Sequence, residues 1–206
     1  MRAKHNWSCW LAMLFLTLLP SVVLAETASA TPATPPDPAK IEAAAEQAYN
    51  NEDLDIAIPL FHQAAKLNNL RAQVFLGEMA EAAQIYEAAV GWYLTAAMQG
   101  DPAAQYNLAR MYVAGTGIEK DDAKALYWFK HSADKKQLDA MKAMANAYRV
   151  GLFGLQVDPD QAASWNAKVA RQEAIERKEE DEKLKALIAK QKKLQDDAAA
   201  AKKAEK

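Results

Sequence analysis

Hydrophobic and polar positions in the middle of the chain recur with the period of an α-helix. Ala104, Leu108, Met111 and Tyr112 fall at i, i+4, i+7 and i+8, so their side chains share one face of a helix. After a loop, a second stripe follows that is made of small and aromatic residues: Ala125, Trp128, Phe129, Ser132 and Ala133. Small residues let helices approach closely, and aromatic residues fill the remaining space. The pattern therefore predicts a helix–loop–helix unit with a shared interior.

This unit is repeated along the chain. The motif AQYNLARM at residue 104 aligns with AMKAMANA at residue 140 and with AQVFLGEM at residue 72, and a weaker copy covers residues 39–66. Tandem units that bury their apolar faces against one another form solenoids. We therefore predict an all-α fold, an α-solenoid of about four antiparallel helix pairs over residues 40–170.

Tryptophans occupy corresponding places in three of the predicted second helices. Trp128 is matched by Trp92 in the preceding copy and, after a one-residue slip, by Trp165 in the following copy. Because these residues lie in an apolar stripe at helical spacing, we expect them in the core and not stacked on a ligand. Asp101-Pro102 and Asp158-Pro159 predict helix N-caps. Four glycines are predicted where the chain leaves helices: Gly100, Gly115, Gly117 and Gly151.

The two ends of the chain differ in composition from the middle. Basic residues, an apolar run over residues 11–19 and a small-residue site ending at Ala25 are typical of a secretory signal. We therefore predict a signal peptide over 1–25, cleaved after Ala25, and a periplasmic or secreted protein. The alternative is an uncleaved anchor, because residues 7–25 approach the length that spans a bilayer. Residues 26–39 are rich in Pro, Thr and Ala and are predicted to be a disordered linker.

Residues 171–206 form a charged tail that we expect to extend the last helix and to fray at its end. Acidic residues precede basic ones by four positions at Glu173–Arg177, Glu179–Lys183 and Asp181–Lys185, which supports a helix. A coiled coil is the competing interpretation, but the apolar stripe is too short for sustained heptads, so a solvated single helix is favoured. Positive and negative charges nearly cancel over the tail, which argues against a polybasic arm for membrane or nucleic acid.

The repeats resemble the Sel-one-like repeat (SLR) family, which is related to tetratricopeptide repeats. The hallmark residues, which we take as the structural signature, are Trp92, Ala97, Gly100, Ala104, Leu108, Tyr112, Gly115, Gly117, Asp121, Ala125, Trp128 and Trp165. The resemblance covers roughly residues 55–170. It implies a scaffold or adaptor that binds a protein or peptide, such as those of the bacterial cell envelope. Some cysteine-rich relatives are linked to penicillin binding, which leaves a cell-wall or β-lactam hydrolase as the alternative function.

In a solenoid the first helices usually line the concave surface, and a partner would meet their outward positions. Helical phase places Tyr106, Arg110 and Val113 outward, with Val74, Glu78 and Glu81 as the equivalents before them. From this phase we predict six partner-binding residues: Glu78, Tyr106, Arg110, Lys142, Asn146 and Arg149. The charge changes from acidic to basic along the array, which would suit an extended peptide of complementary charge order. The alternative is a solvated face without a ligand.

The sequence gives little support for catalysis, metal binding or nucleic-acid binding. Beyond the predicted signal peptide, His62 and His131 are the only histidines, and neither has a Cys or His at ligand spacing. Loss of residues 1–25 would remove Cys9, the only cysteine, and two of the 25 basic residues, leaving 23 against 27 acidic ones and a formal charge of −4. A chain of this charge does not favour nucleic acid as a partner. We expect no cofactor, no metal, no enzymatic activity and no stable membrane insertion after signal cleavage.

Overall fold

The structure, a computed structural model, describes residues 37–204, and within that range it contains eight α-helices and no strand. The predicted signal peptide and nearly all of the predicted linker lie outside the described residues. The helices are α1 (Pro38–Asn50), α2 (Leu54–Lys66), α3 (Leu70–Ala82), α4 (Tyr86–Met98), α5 (Pro102–Ala114), α6 (Asp122–Asp134), α7 (Leu138–Val150) and α8 (Pro159–Ala204). The predicted all-α array of four helix pairs is confirmed. No helix among the described residues is both long and apolar enough to cross a bilayer.

The first seven helices all have 13 residues, and most connections between them have three. In each three-residue connection the middle residue has a positive φ: Glu52, Asn68, Gln84, Gly100 and Lys136. Only one of these five is a glycine, although left-handed backbone disfavours other side chains. Two connections are longer, namely the seven residues 115–121 between α5 and α6 and the eight residues 151–158 between α7 and α8. Each of these longer loops joins the two helices within a pair.

Side-chain caps fix where the first helix of every pair begins. Asp37, Asn69, Asp101 and Gln137 each accept a hydrogen bond from a backbone N–H in the first turn of α1, α3, α5 and α7, respectively. Such a cap satisfies a donor that the helix itself leaves unpaired. The predicted cap at Asp158 is also present, because its Oδ1 accepts from the Gln161 N–H at 2.9 Å. The helix boundaries are thus encoded locally in the sequence.

The buried residues form two clusters of rings and small side chains, one from α1–α3 and one from α4–α8. Helices that are consecutive in sequence make the main contacts. The buried aromatic side chains of the four second helices are Phe61, Tyr93, Phe129 and Trp165. The last three are spaced by exactly 36 residues, so the one-residue slip assumed for Trp165 was wrong. Around them lie alanines that are fully buried, which allows the helices to approach closely.

Two of the three tryptophans are not the core residues that we expected. Trp165 is 7% exposed, whereas Trp92 and Trp128 are only partly buried at the rim of the packed interior. In α4 and α6 the side chain that points into the core belongs to the next residue, Tyr93 or Phe129. Each tryptophan therefore points to the side of its helix. Trp92 accordingly faces His62 of α2, with ring centroids 5.6 Å apart. Four of the five residues of the predicted stripe in α6 are buried, and only Trp128 lies at its edge.

Candidate protein-interaction surface

The residues predicted to bind a partner lie on the first helices α3, α5 and α7, and we call the solvent-facing side of these helices the first-helix surface. Glu78, Arg110, Lys142, Asn146 and Arg149 are exposed there, and Tyr106 is partly buried. Tyr106 packs on Phe129 with ring centroids 5.7 Å apart and has the Arg110 guanidinium 5.9 Å from its own ring centroid. Burial and, to a lesser degree, Asp139 raise the pKa of Tyr106, which therefore stays neutral.

A groove of about 430 Å³ opens in this surface next to α5. Three of its lining residues, Glu81, Arg110 and Val113, occupy outward positions that the sequence predicted. The full lining is Glu81, Tyr86, Arg110, Met111, Val113, Ala114, Thr116, Phe129 and Phe153. Three aromatic rings and a valine supply apolar walls, while the Glu81–Arg110 ion pair lies at its edge. Pockets of this kind, with apolar walls and a few polar groups, are typical binding sites for side chains of a ligand.

Phe153 reaches this groove from the long loop after α7, and its backbone has a φ of +57°. The equivalent residue 36 positions earlier is Gly117, which has a φ of +68°. A Cβ at Gly117 would lie 2.4 Å from the backbone of Tyr86, so only glycine fits there. Phe153 instead keeps the strained backbone and packs its ring on Phe129 at 5.4 Å. The replacement of glycine by phenylalanine at corresponding places is the sequence signal that could have revealed this residue.

Glu81 connects the groove to the core. Its Oε2 accepts a hydrogen bond of 2.9 Å from the buried Tyr93 hydroxyl, and its Oε1 lies 3.1 Å from Nη2 of Arg110. Burial raises the pKa of Tyr93, with the Glu81 hydrogen bond as the second cause, so Tyr93 remains a neutral donor. One carboxylate thereby links α3, α4 and α5. Both Glu81 and Arg110 are held in place by this network before any partner binds.

A second, smaller groove of about 210 Å³ lies between α1, α3 and α5 and contains Glu78 among its lining residues. Its acidic side chains Glu42 and Glu46 are neutralised by Arg71, with N···O distances of 3.0 and 2.6 Å. Glu78 has no ion-pair partner within 4.0 Å among residues 37–204. Burial, Glu81 and Asp101 together raise the pKa of Glu78. Glu78 is thus a carboxylate whose charge a cationic partner group would stabilise.

The three predicted residues of α7 are not part of either groove. Lys142 Nζ pairs with Glu173 Oε1 of α8 at 2.9 Å, and this pairing raises the pKa of Lys142. Arg149 donates to Asn146 Oδ1 at 2.5 Å within the same helix. The sequence could not show that α8 supplies a carboxylate opposite Lys142, because that contact depends on where the continued helix passes. The structure therefore brings Tyr106 and Arg110 together and places Glu78 in the smaller groove. Lys142, Asn146 and Arg149 lie outside both grooves.

The remaining signature residues shape the repeat and do not line the grooves as a set. Ala97, Ala104, Leu108, Tyr112 and Ala125 are buried. Gly100, Gly115 and Gly117 have positive φ values that glycine adopts without strain. Asp121 caps α6 by accepting from the Lys124 N–H, and this contact lowers the pKa of its carboxyl group. Over the described residues, no group of three or more His, Cys, Asp or Glu side chains is arranged to hold a metal ion.

Comparison with known proteins identifies the repeat. The Sel1 repeat family model matches three consecutive segments, residues 71–101, 102–136 and 138–172. Among solved structures, c5321, a protective antigen of uropathogenic Escherichia coli strains displaying an SLR fold, is 29% identical with a TM-score of 0.62. A Sel1 repeat protein from Oxalobacter formigenes is 28% identical, also with a TM-score of 0.62. No curated protein matches the chain.

The two matches cover part of this chain and part of each solved protein. Each covers 66% of this chain, but only 31% of the E. coli antigen and 58% of the Oxalobacter protein. The matched segments begin and end close to the helix pairs α3–α4, α5–α6 and α7–α8. The repeated helix pairs and the family match agree, and the chain is a Sel1-like repeat protein of the tetratricopeptide-like superfamily.

Proposed function

We propose that this chain is an exported, non-catalytic scaffold or adaptor of the bacterial cell envelope that binds a protein or peptide through the concave face of its repeats. Sel1 repeat proteins are typically protein-interaction scaffolds. The observation that carries the proposal is the groove at α5, where an apolar pocket adjoins a preorganised ion pair on the first-helix surface. A rigid surface lowers the entropic cost of binding an extended segment.

The chemistry of the two grooves specifies the partner segment. An apolar side chain of the partner would enter the pocket between Tyr86, Phe129 and Phe153. A lysine or arginine of the partner would pair with Glu78, whose charge is not compensated within the described chain. We keep Glu78 and Arg110, which line the two grooves, and Tyr106, which lies against Arg110. Lys142, Asn146 and Arg149 line neither groove, so we leave them out of the binding residues. The partner would therefore carry a basic residue beside an apolar one.

Site-specific photocrosslinking in intact cells tests this assignment. A photoreactive residue at Val113, which lines the larger groove, is expected to trap one reproducible protein. The same residue at Met98 serves as the control, because Met98 is 71% exposed on the second helix α4 and lines neither groove. Addition of Glu78→Lys to the Val113 variant is expected to weaken the crosslink at unchanged thermal stability. Identical patterns from Val113 and Met98 would contradict binding through the first-helix surface.

Absence of catalysis is part of the proposal and has its own test. The purified protein is expected to leave a chromogenic β-lactam and peptidoglycan fragments unchanged over hours. Clear turnover that survives further purification would favour the hydrolase interpretation instead. Export is tested separately by N-terminal sequencing of the protein from a periplasmic extract, where the first residue is expected to be Glu26. An N-terminus at Met1 in the membrane fraction would contradict cleavage.

A further inference from the structure

The long helix α8 leaves the repeat array and presents a second surface of different character. Val169 is the last residue of α8 that is buried, and Gln172 and Glu173 are the last that are partly buried. From residue 174 to residue 195 every described side chain is exposed. At 1.5 Å per residue this stretch is about 30 Å long. It is an unpartnered helix whose two faces are both available.

Charge is separated along this stretch, although it nearly cancels over the tail as a whole. Residues 173–182 contain six acidic side chains against Arg177 and Lys178, whereas residues 183–195 contain five lysines and no acidic residue. The lysines are Lys183, Lys185, Lys190, Lys192 and Lys193. Glu179 and Asp181 precede the first two by one turn and can pair with them. The last three lie beyond their reach, although Lys192 and Lys193 precede Asp196 and Asp197 by four residues.

The lysine-rich segment 183–195 is also amphipathic. At 3.6 residues per turn, Leu184, Leu187, Ile188 and Leu194 fall within an arc of about 120°. These four side chains are 54% to 61% exposed. The five lysines occupy the rest of the circumference, with Lys183 and Lys190 along one border of the apolar arc and Lys185 and Lys192 along the other. The remaining positions are alanine or glutamine, and Gln191 and Gln195 fall inside the apolar arc.

We propose that residues 183–195 are an interfacial helix that binds the surface of an anionic lipid bilayer, lying in its plane without crossing it. An apolar arc bordered on both sides by lysines lets the aliphatic groups enter the acyl boundary while the ammonium groups reach anionic headgroups. The array would then be held close to a membrane by its C-terminal helix. This proposal concerns a different surface from the one assigned to the protein partner and does not depend on it.

Other occupants fit this surface less well. Gln191 lies in the middle of the apolar arc and breaks the seam that a helical partner would need for knobs-into-holes packing. A second copy packed in parallel through the apolar arc would bring its four bordering lysines against these four. Nucleic acid would leave the four exposed aliphatic side chains in water. A bilayer surface needs no residue-by-residue pairing with the helix, and it can bind the apolar arc and the bordering lysines at the same time.

Vesicle sedimentation with the chain beginning at Glu26, which keeps all described residues, tests the proposal. Binding is expected to vesicles of phosphatidylglycerol and phosphatidylcholine, and to be at least about tenfold weaker to phosphatidylcholine alone. The double variant Lys190→Glu, Lys192→Glu is expected to reduce binding to the anionic vesicles by about tenfold or more. The matched control Arg177→Glu, Lys178→Glu changes the net charge equally on the same helix outside the segment, and is expected to have a much smaller effect.

A second variant separates lipid binding from simple charge attraction. Leu187→Gln, Ile188→Gln keeps all five lysines and a helix-favouring residue, and is expected to weaken binding by about tenfold. Because neither residue is buried, the fold is expected to be unchanged, which thermal unfolding checks. No binding to anionic vesicles would overturn the proposal. Binding that depends on the lysines but not on Leu187 and Ile188 would also overturn it, since any polyanion, including RNA, would then serve equally.

Discussion

The two halves of the repeat array pack their paired helices together through connections of different length. From α1 to α4 every connection has three residues, whereas α5–α6 and α7–α8 are joined by seven and eight. In the first half the paired helices themselves come close, because Gly77 of α3 allows the Tyr93 ring of α4 to lie against the helix backbone. In the second half a loop comes close instead, because Gly117 lies against the first residue of α4. Thr116 and Phe153 of the longer loops thereby form part of the wall of the groove at α5. Connections of three residues are too short to do this.

The largest expected effect comes from the loop contact of the second half. Gly117→Ala is expected to destabilise the protein by about 3 kcal/mol, since it combines a left-handed backbone with a clash against the Tyr86 backbone. Thermal unfolding measures this as a loss of about 10 °C in Tm. Gly154→Ala is the control, because its φ is also positive but no atom lies within 4 Å of the added Cβ. Equal losses for the two variants would show that the loop does not pack on α4.

The helix contact of the first half is expected to have the next largest effect. In Gly77→Ala the new Cβ would lie 2.5 Å from the Tyr93 ring, at an expected cost of about 2 kcal/mol. Gly91→Ala in the neighbouring helix has open space around its Cβ and is expected to stabilise by about 1 kcal/mol through helix propensity. Urea unfolding of both variants provides the comparison. A stabilising Gly77→Ala would contradict the close approach of α3 and α4.

A smaller gain is expected from the three-residue turns themselves. Gln84 has a φ of +63°, so Gln84→Gly is expected to stabilise by about 0.5 kcal/mol after the entropic cost of glycine is included. Ala83→Gly is the control, because Ala83 has a right-handed conformation that gains nothing from glycine. Denaturant midpoints of the two variants measure the difference. If Ala83→Gly stabilised as much as Gln84→Gly, backbone strain in these turns would not be the cause.

The smallest expected effect distinguishes the surface charges of the two halves. Among the described residues Glu78 has no compensating cation, whereas Lys142 has a compensating carboxylate in Glu173. Because the pKa of Glu78 is raised in the folded protein, its ionised form weakens the fold above that pKa, and protonation relieves this as pH falls. Glu78→Gln is therefore expected to raise Tm slightly at pH 7, and the gain should vanish below pH 4.5, the ordinary pKa of a glutamate. The exposed Glu119→Gln is the control, and a gain that did not depend on pH would contradict this cause.

Helix content, repeat number and caps could be predicted from the sequence because each has a local cause. Asp101 and Asp158 mark helix starts through short-range hydrogen bonds, and the alanine stripes mark the buried faces. It was harder to predict from the sequence which side chain of each second helix points into the core, because a tryptophan and its neighbouring aromatic residue are both apolar. Only the packing of adjacent helices decides that Tyr93 and Phe129 point inward.

The candidate site was predicted in part. Helical phase alone correctly placed Glu78 and Arg110 on the exposed side of α3 and α5. It could not show that Glu81 turns back to the Tyr93 hydroxyl or that Glu173 pairs with Lys142, because both contacts join residues of different helices. Phe153 was missed for a similar reason. Its ring enters the groove only because a long loop folds over the end of α5.

The connections from one repeat to the next all have three residues, at 67–69, 99–101 and 135–137, and only connections within a repeat vary in length. Neighbouring repeats are therefore joined by a fixed, short coupling, while one edge of the array is free to accept insertions. Insertions at that edge would leave the spacing between neighbouring repeats unchanged. Loop length can therefore vary there, except at positions that pack on the array as Gly117 packs on α4.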